Sequence, residues 1–139
     1  METLRWKTRI AVLWVFMVVA DLAHGLLVTW EPGGVEKMVS HMVARGSGWF
    51  LFEAFFFLVP LCMAFVSMTV KDSLNRWINF VLGTLFTTIN IIHFFQCGVP
   101  LGSGPITEPT AHHILLVGST VVVTAVITWH AWNWPEQEA

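Results

Sequence analysis

Four apolar stretches of about 20 residues limit what this 139-residue chain can fold into. They run over residues 10–29, 49–68, 77–97 and 113–132. An α-helix needs about 20 predominantly apolar residues to cross the hydrocarbon core of a bilayer. Each stretch meets this requirement. We therefore predict that residues 1–139 form a single transmembrane domain, an all-α, four-helix transmembrane bundle.

The composition also indicates a lipid environment. Hydrophobic residues make up 55% of the chain and charged residues 12%, whereas about a quarter of the residues of soluble domains are charged. The formal net charge of −2 provides no basic surface for nucleic acid, and no glycine-rich phosphate-binding motif is present. We therefore predict contact with the lipid bilayer and no nucleic-acid partner.

The links between the spans indicate the orientation. Five basic residues precede the first span or flank the second link, whereas the first link contains two. The positive-inside rule then predicts that both termini are cytoplasmic. We also predict a short interfacial amphipathic helix in the first outer loop, over residues 35–45. Its apolar residues at helical spacing are Val35, Met38, Val39 and Met42.

Polar and ionisable side chains of the spans cluster toward the predicted outer surface. At about 1.5 Å per residue, the deepest of them lies roughly 13 Å from the outer end of its helix. Such residues are costly in hydrocarbon and normally face the bundle interior. We therefore expect one buried polar layer in the outer half and an inner half of mainly apolar and threonine side chains. The layer contains Asp21, His24, Glu53, Asn90, His93, His112 and His113.

Two members of this layer lead to more detailed expectations. We expect Glu53 to face the bundle and to hydrogen-bond a side chain of the first or third span. His112 and His113 are adjacent in sequence, and adjacent helix residues point about 100° apart. Only one of these two histidines is therefore expected to face the bundle easily.

The spacing of the polar residues suggests a cofactor site. Asp21 and His24, like Asn90 and His93, are three residues apart and share one side of a helix. Four-helix metalloproteins present inward ligands with a similar carboxylate-x-x-His spacing. Nitrogen and oxygen ligands of this kind suit Zn, Cu, Fe or Mn. The candidate metal ligands are Asp21, His24, Glu53, His93, His112 and His113. Alternatively, His24 and His93 are axial ligands of a b-type haem, with Asp21 and Asn90 beside them.

Three classes of function remain open at this point. The first is a cofactor-binding protein or an accessory subunit of a membrane complex. The second is a membrane enzyme or binding protein for an apolar, sterol- or quinone-like molecule, with His24 and Glu53 as candidate catalytic residues; a proton path belongs with this class. The third is a structural protein that packs in a homo-oligomer or a larger complex and uses the polar layer only for interhelical hydrogen bonds.

Two segments resemble a family of small, uncharacterised bacterial four-helix membrane proteins. They are LWVFMVVADL at residues 13–22, with its late acidic residue, and NRWINFVLG at residues 75–83. The resemblance implies a four-helix fold in the bacterial inner membrane, and it implies no activity. In addition, AHGLL and FEAFFFLVPLC are similar to segments of the sterol-isomerase and sigma-2-receptor-like membrane fold. This similarity implies that His24 and Glu53 line a pocket for a lipid-like molecule.

Overall fold

The computed structural model describes residues 2–98 and 108–134. Four of the helices formed by these residues are long and apolar enough to cross a membrane, so the chain is a multi-pass membrane protein. One turn of π-helix, Phe94–Gly98, follows the third of these spans. The α-helices are α1 (Glu2–Trp30), α2 (Gly34–Arg45), α3 (Ser47–Thr69), α4 (Asp72–His93) and α5 (Glu108–Trp132).

The long helices extend beyond the apolar stretches that predicted them. α1 begins at Glu2 and α4 begins at Asp72, several residues before the corresponding apolar stretch. The added turns carry charged and polar side chains, and a helix tolerates these because its hydrogen bonds are made by the backbone. The apolar pattern therefore reports the part of each helix that suits lipid and underestimates the length of the helix.

The four spans pack as a bundle around a narrow core. α1 packs between α3 and α5, and α5 packs between α1 and α4. Side chains of α1 also reach α4, since the rings of Trp14 and Phe86 lie 5.5 Å apart. The inward residues of α1 recur at intervals of four and three, as is typical of helices in bundles. They include Ile10, Trp14 and Met17, which are fully buried.

Contacts at one end of the bundle join three parts of the chain. Lys7 forms an ion pair with Asp72 at 2.7 Å, and its Nζ donates a hydrogen bond to Val70 O at 2.9 Å. Arg76 Nη2 donates a hydrogen bond to Trp132 O at 3.4 Å. The first turns of α1, the α3–α4 link and the last turn of α5 therefore lie together. We call this the basic end of the bundle, and the end that carries α2 the histidine end.

The predicted short helix of the first link is present as α2. Its Met38 and Met42 are half-buried, and α2 packs against α1 and α3. Gly33 and Gly46 flank the helix with φ values of 72° and 74°, which glycine adopts without steric cost. These two glycines let the chain turn sharply from α1 into α2 and from α2 into α3. The valines exposed on the remaining face are Val35, Val39 and Val43.

A buried polar network, absent from the sequence-based predictions, lies near the basic end, where the core otherwise consists mainly of apolar and threonine side chains. Asn79 Oδ1 accepts hydrogen bonds from Trp14 Nε1 at 2.7 Å and from Ser67 Oγ at 3.1 Å. Asn79 Nδ2 donates to Asn75 O and Asn75 Oδ1, at 2.9 and 2.6 Å. Asn75 Nδ2 in turn donates to Ser67 O at 2.7 Å. These four side chains are fully buried, and together they join α1, α3 and α4.

The helices α4 and α5 approach each other closely at Gly83. A Cβ atom at this position would lie 2.7 Å from Thr128 Oγ1 and 3.2 Å from Thr128 N. Thr128 Oγ1 is held in place by its hydrogen bond to Thr124 O at 3.0 Å. Small residues permit such close helix contacts within membranes. The lack of a side chain at Gly83 therefore allows the α4–α5 contact.

We expect Gly83→Ala to destabilise the bundle by about 1–2 kcal/mol, because an extra methyl group in a tight contact forces its neighbours to move. Gly25→Ala is a matched control, since a Cβ atom there meets nothing within 4 Å. Helix propensity alone predicts that this control is neutral or slightly stabilising. Unfolding titrations in mixed SDS micelles measure both effects. Equal stability of the two variants would contradict the close contact.

Candidate functional site

Three ionisable residues lie along the inward side of α1 and its continuation toward the histidine end. Asp21, His24 and Glu31 are spaced by three and seven residues, so they share one side of the helix. Glu31 follows the last residue of α1, and its backbone N–H donates a hydrogen bond to Val28 O at 3.2 Å. A Cβ atom at Gly34 would collide with the same carbonyl oxygen. The glycine therefore permits the tight turn that fixes Glu31 at the end of α1.

The start of α5 brings two histidines to Glu31. His113 Nε2 lies 2.8 Å from Glu31 Oε1, and His112 Nε2 lies 3.3 Å from the same oxygen. The two imidazole rings stack with their centroids 4.4 Å apart. Both histidines thus approach one group, although only one was expected to face the bundle. Glu31 lies past the last turn of α1, where side chains that point in neighbouring directions can both reach it.

Glu31, His112 and His113 have the geometry of a small ligand set, which we call the outer triad. One ligand atom from each residue lies within 4.8 Å of the other two. Ligands held at about 2.0–2.1 Å on a tetrahedron lie about 3.3–3.4 Å apart, which is close to the separation of His112 Nε2 and Glu31 Oε1. The three side chains are only 17–23% exposed. A small movement of the three side chains would place their ligand atoms around one ion.

His112 supplies an observation that an ion pair alone does not explain. Its Nε2 atom is buried and has no hydrogen-bond partner among the described residues. The separation of 3.3 Å from Glu31 Oε1 is within ion-pair distance if His112 is protonated, but the geometry is not that of a hydrogen bond. Buried polar atoms normally have a partner. A nitrogen that lacks one beside a carboxylate and a second imidazole is well placed to bind a cation.

His24 supports the triad from inside the bundle. His24 Nε2 and His113 Nδ1 are 2.6 Å apart, so one of these nitrogens donates a hydrogen bond to the other. The His24 ring also lies edge-on to the His93 ring, with centroids 5.7 Å apart. If His113 Nε2 binds a cation, its Nδ1 carries the proton and donates to His24. Hydrogen bonds of this kind orient histidine ligands in metalloproteins.

Comparisons of the chain with protein-family models, with curated protein sequences and with solved structures find no match. No activity, ligand or partner is therefore carried over from another protein. The resemblance to small bacterial membrane proteins predicted four helical spans, and the structure has four helices that could cross a membrane.

Asp21 and Asn90 lie outside the outer triad. Asn90 is 1% exposed, and its Nδ2 donates a long hydrogen bond of 3.5 Å to Thr120 O. Asp21 Oδ2 is buried and has no hydrogen-bond partner among the described residues. Both residues precede by one helical turn the histidines that meet at the histidine end. They thus form a separate level of the bundle, and their role as ligands stays a prediction.

Glu53 forms its described hydrogen bond within its own helix. Trp49 Nε1 donates to Glu53 Oε1 at 2.6 Å, and the guanidinium of Arg45 lies 4.1 Å from the centre of the Trp49 ring. The expected partner on the first or third span is therefore replaced by a tryptophan one turn earlier in α3. This arrangement offers no support for a catalytic pair of Glu53 with His24, whose described hydrogen bond is to His113.

The residues fit a single metal ion better than a haem. A haem bound by His24 and His93 needs free axial nitrogens on both rings and space for a planar macrocycle between them. His24 Nε2 is already in contact with His113 Nδ1, and α1 packs directly against α5. A macrocycle would have to displace His113. A metal ion at the outer triad requires no such displacement.

Glu31 is the residue that the sequence analysis missed. Glu31 precedes Pro32 and Gly33, and this break in the helical pattern places it in the first link of the sequence-based prediction. A signal was nevertheless present, because Glu31 lies seven residues after His24 and thus two helical turns further along the same side. Extending the inward pattern of the first span by two turns would have added this carboxylate to the candidate ligands.

Proposed function

We propose that this membrane protein binds one divalent transition-metal ion at the histidine end through Glu31, His112 and His113. The observation that supports this most directly is the convergence of their ligand atoms within 4.8 Å. The carboxylate and the two imidazoles come from opposite parts of the chain, so the fold alone brings them together. The Nε2 atom of His112, which forms no hydrogen bond with a described residue, argues against a role limited to hydrogen bonding.

The ligand types narrow the choice of ion. Imidazole suits Zn, Cu and Fe, and a set of two histidines and one carboxylate occurs in Zn²⁺ and non-haem Fe²⁺ sites. Such a set leaves at least one coordination position for water or for a small ligand. We propose that His24 acts as a positioning residue that orients His113. The metal is thus attached to a membrane-embedded scaffold, as expected for a cofactor-binding subunit of a homo-oligomer or larger complex.

The proposed location follows the distribution of basic residues. We propose that the basic end faces the cytoplasm and that the outer triad faces the opposite side of a bacterial inner membrane. Five of the seven Lys and Arg residues lie before the first span or around the α3–α4 link, which supports this orientation. The exposed valines of α2 suit a helix that lies in the membrane interface.

Cysteine labelling of intact cells tests the orientation. In a variant without the native cysteines, we expect Ser40→Cys on α2 to react with a membrane-impermeant maleimide, because it lies at the histidine end. Ser73→Cys, at the basic end, should react only after the cells are permeabilised. Both serines are exposed in the structure, so a difference in burial does not account for the result. The reverse pattern would contradict the proposed orientation.

Metal titration of the purified protein tests the proposed function. The protein is purified in mild detergent with a tag that lacks histidine, stripped with a chelator, and titrated with Co²⁺. We expect one Co²⁺ per chain and visible d–d bands of a low-symmetry nitrogen and oxygen site, which Zn²⁺ then removes by competition. No saturable binding of Co²⁺, Zn²⁺, Fe²⁺, Mn²⁺ or Cu²⁺ at the outer triad would refute the proposal.

A further inference from the structure

Asp21 and Asn90 occupy a second polar level, deeper in the bundle than the outer triad. α1 and α4 both start at the basic end and therefore run in the same direction. His24 on α1 touches His93 on α4. Asp21 and Asn90 each precede one of these histidines by three residues. Because α1 and α4 are parallel, Asp21 and Asn90 lie at one depth, about 4.5 Å further into the bundle than His24 and His93.

The surroundings of Asp21 disfavour an ionised carboxylate. Its Oδ2 is buried without a hydrogen-bond partner among the described residues. If Asp21 were ionised, this oxygen would have lost its hydration without a compensating hydrogen bond, which is costly in protein and in lipid. Protonation removes the charge and provides an O–H donor.

The spans provide no permanent positive charge to balance Asp21. The titratable groups nearest to this level come from each helix of the bundle: His24 on α1, Glu53 on α3, His93 on α4 and His113 on α5. Lys and Arg are absent from the sequence of residues 10–30, 47–69, 77–98 and 108–132. Neutrality at Asp21 therefore depends on a proton or on a small cation from solution.

The core between Asp21 and the basic end is closed by apolar side chains. Met17 and Trp14, the next inward residues of α1, are fully buried. The Phe86 ring lies 5.5 Å from Trp14 and 5.2 Å from the ring of Phe56. This aromatic and methionine layer lies between Asp21 and the buried network that Trp14 joins near the basic end, and no hydrogen bond among the described residues links that network to Asp21. The histidine end is therefore the side from which a proton can reach Asp21.

We propose that Asp21 is a proton-binding site within the membrane, held as the neutral carboxylic acid, which exchanges its proton only with the histidine end. The site is a closed proton well rather than a channel, since the aromatic layer blocks the second half of the path. It is separate from the outer triad and does not require a bound metal. It can therefore be tested in the metal-free protein.

Modification by dicyclohexylcarbodiimide tests the protonation state, because this apolar reagent adds the O–H of a protonated carboxyl across its C=N bond. The adduct rearranges to a stable N-acylurea that mass spectrometry locates. We expect modification of Asp21 in the metal-free protein, and less of it as the pH is raised. Asp72, which is paired with Lys7, is the control that should stay unmodified. No adduct at Asp21, or protection of Asp21 by Na⁺ at constant pH, would overturn the proposal.

Infrared spectroscopy of proteoliposomes tests the sidedness of exchange. The carboxylic C=O band of Asp21 is assigned by its loss in Asp21→Asn. In vesicles that hold the protein in a single orientation, we expect the band to respond when the pH is changed on the side of the membrane that the histidine end faces. It should not respond when the pH is changed on the side of the basic end. The vesicles should also show no protein-dependent proton conductance. A response from both sides, or a conductance that Asp21→Asn abolishes, would refute the closed well.

Discussion

Replacement of His113 by alanine is expected to weaken Co²⁺ or Zn²⁺ binding by more than about 100-fold. Loss of a group that merely orients a metal ligand typically costs about 10–100-fold, and His113→Ala removes a ligand together with its link to His24. His113 Nε2 is 2.8 Å from Glu31 and its Nδ1 is 2.6 Å from His24. The alanine variant therefore leaves two ligands and an unpaired His24. Isothermal titration calorimetry and Co²⁺ absorbance give the dissociation constants.

Three further variants separate metal binding from loss of fold. Glu31→Gln keeps the size of the side chain and removes its charge, and should weaken binding to a similar extent. His24→Phe should cost about 10–100-fold, since His24 acts through His113. His130→Ala is the control, because His130 packs on Trp6 near the basic end, and it should bind metal like the wild type. Equal binding by His113→Ala and His130→Ala would refute the outer triad as the metal site.

The second large effect is expected from Asn79→Leu, which should destabilise the bundle by about 2–4 kcal/mol. The substitution approximately preserves volume but deprives Trp14 Nε1, Ser67 Oγ and Asn75 Oδ1 of their partner. Each unpaired buried group costs about 1–3 kcal/mol in soluble proteins. Membrane values are smaller because the separated helices also find partners. Steric trapping in bicelles measures the free energy of unfolding.

Thr88→Val is the matched control on the same helix. Thr88 is exposed and its hydroxyl donates only to Thr84 O of its own helix, at 3.0 Å. The control should change stability by less than about 0.5 kcal/mol, as expected for a surface position. A Trp14→Phe, Asn79→Leu double variant should lose less than the sum of the single variants, because the two residues share one hydrogen bond. Full additivity would mean that the Trp14–Asn79 bond contributes nothing measurable.

The polar contacts inside the bundle were predictable from the sequence to different degrees. His24 and His93 were expected to belong to one polar layer, and the structure brings their rings into contact. Asn75 and Asn79 were overlooked, although they occur in the NRWIN segment. Asn75 precedes the predicted start of the third span, and an isolated asparagine carries little weight in an apolar pattern. The importance of the two asparagines comes from distant partners: Trp14 is 65 residues from Asn79 in sequence, and Ser67 is 8 residues from Asn75.

The sequence by itself determined the number of spans and their approximate positions along the chain. These properties depend on a local term, an apolar run of sufficient length. The exclusion of charged residues from lipid acts on every span separately, so no knowledge of the neighbouring helices is needed.

Only the tertiary structure decided which inward residues meet. Glu31 joins His112 and His113 because α1 and α5 are adjacent and antiparallel, and because the turn at Gly34 holds the carboxylate over the start of α5. Glu53 instead accepts a hydrogen bond from Trp49 of its own helix. Helical periodicity states that a side chain points inward, but the order of helices around the bundle and their relative register determine its partner. Both are set by the packing of distant segments, which no local pattern contains.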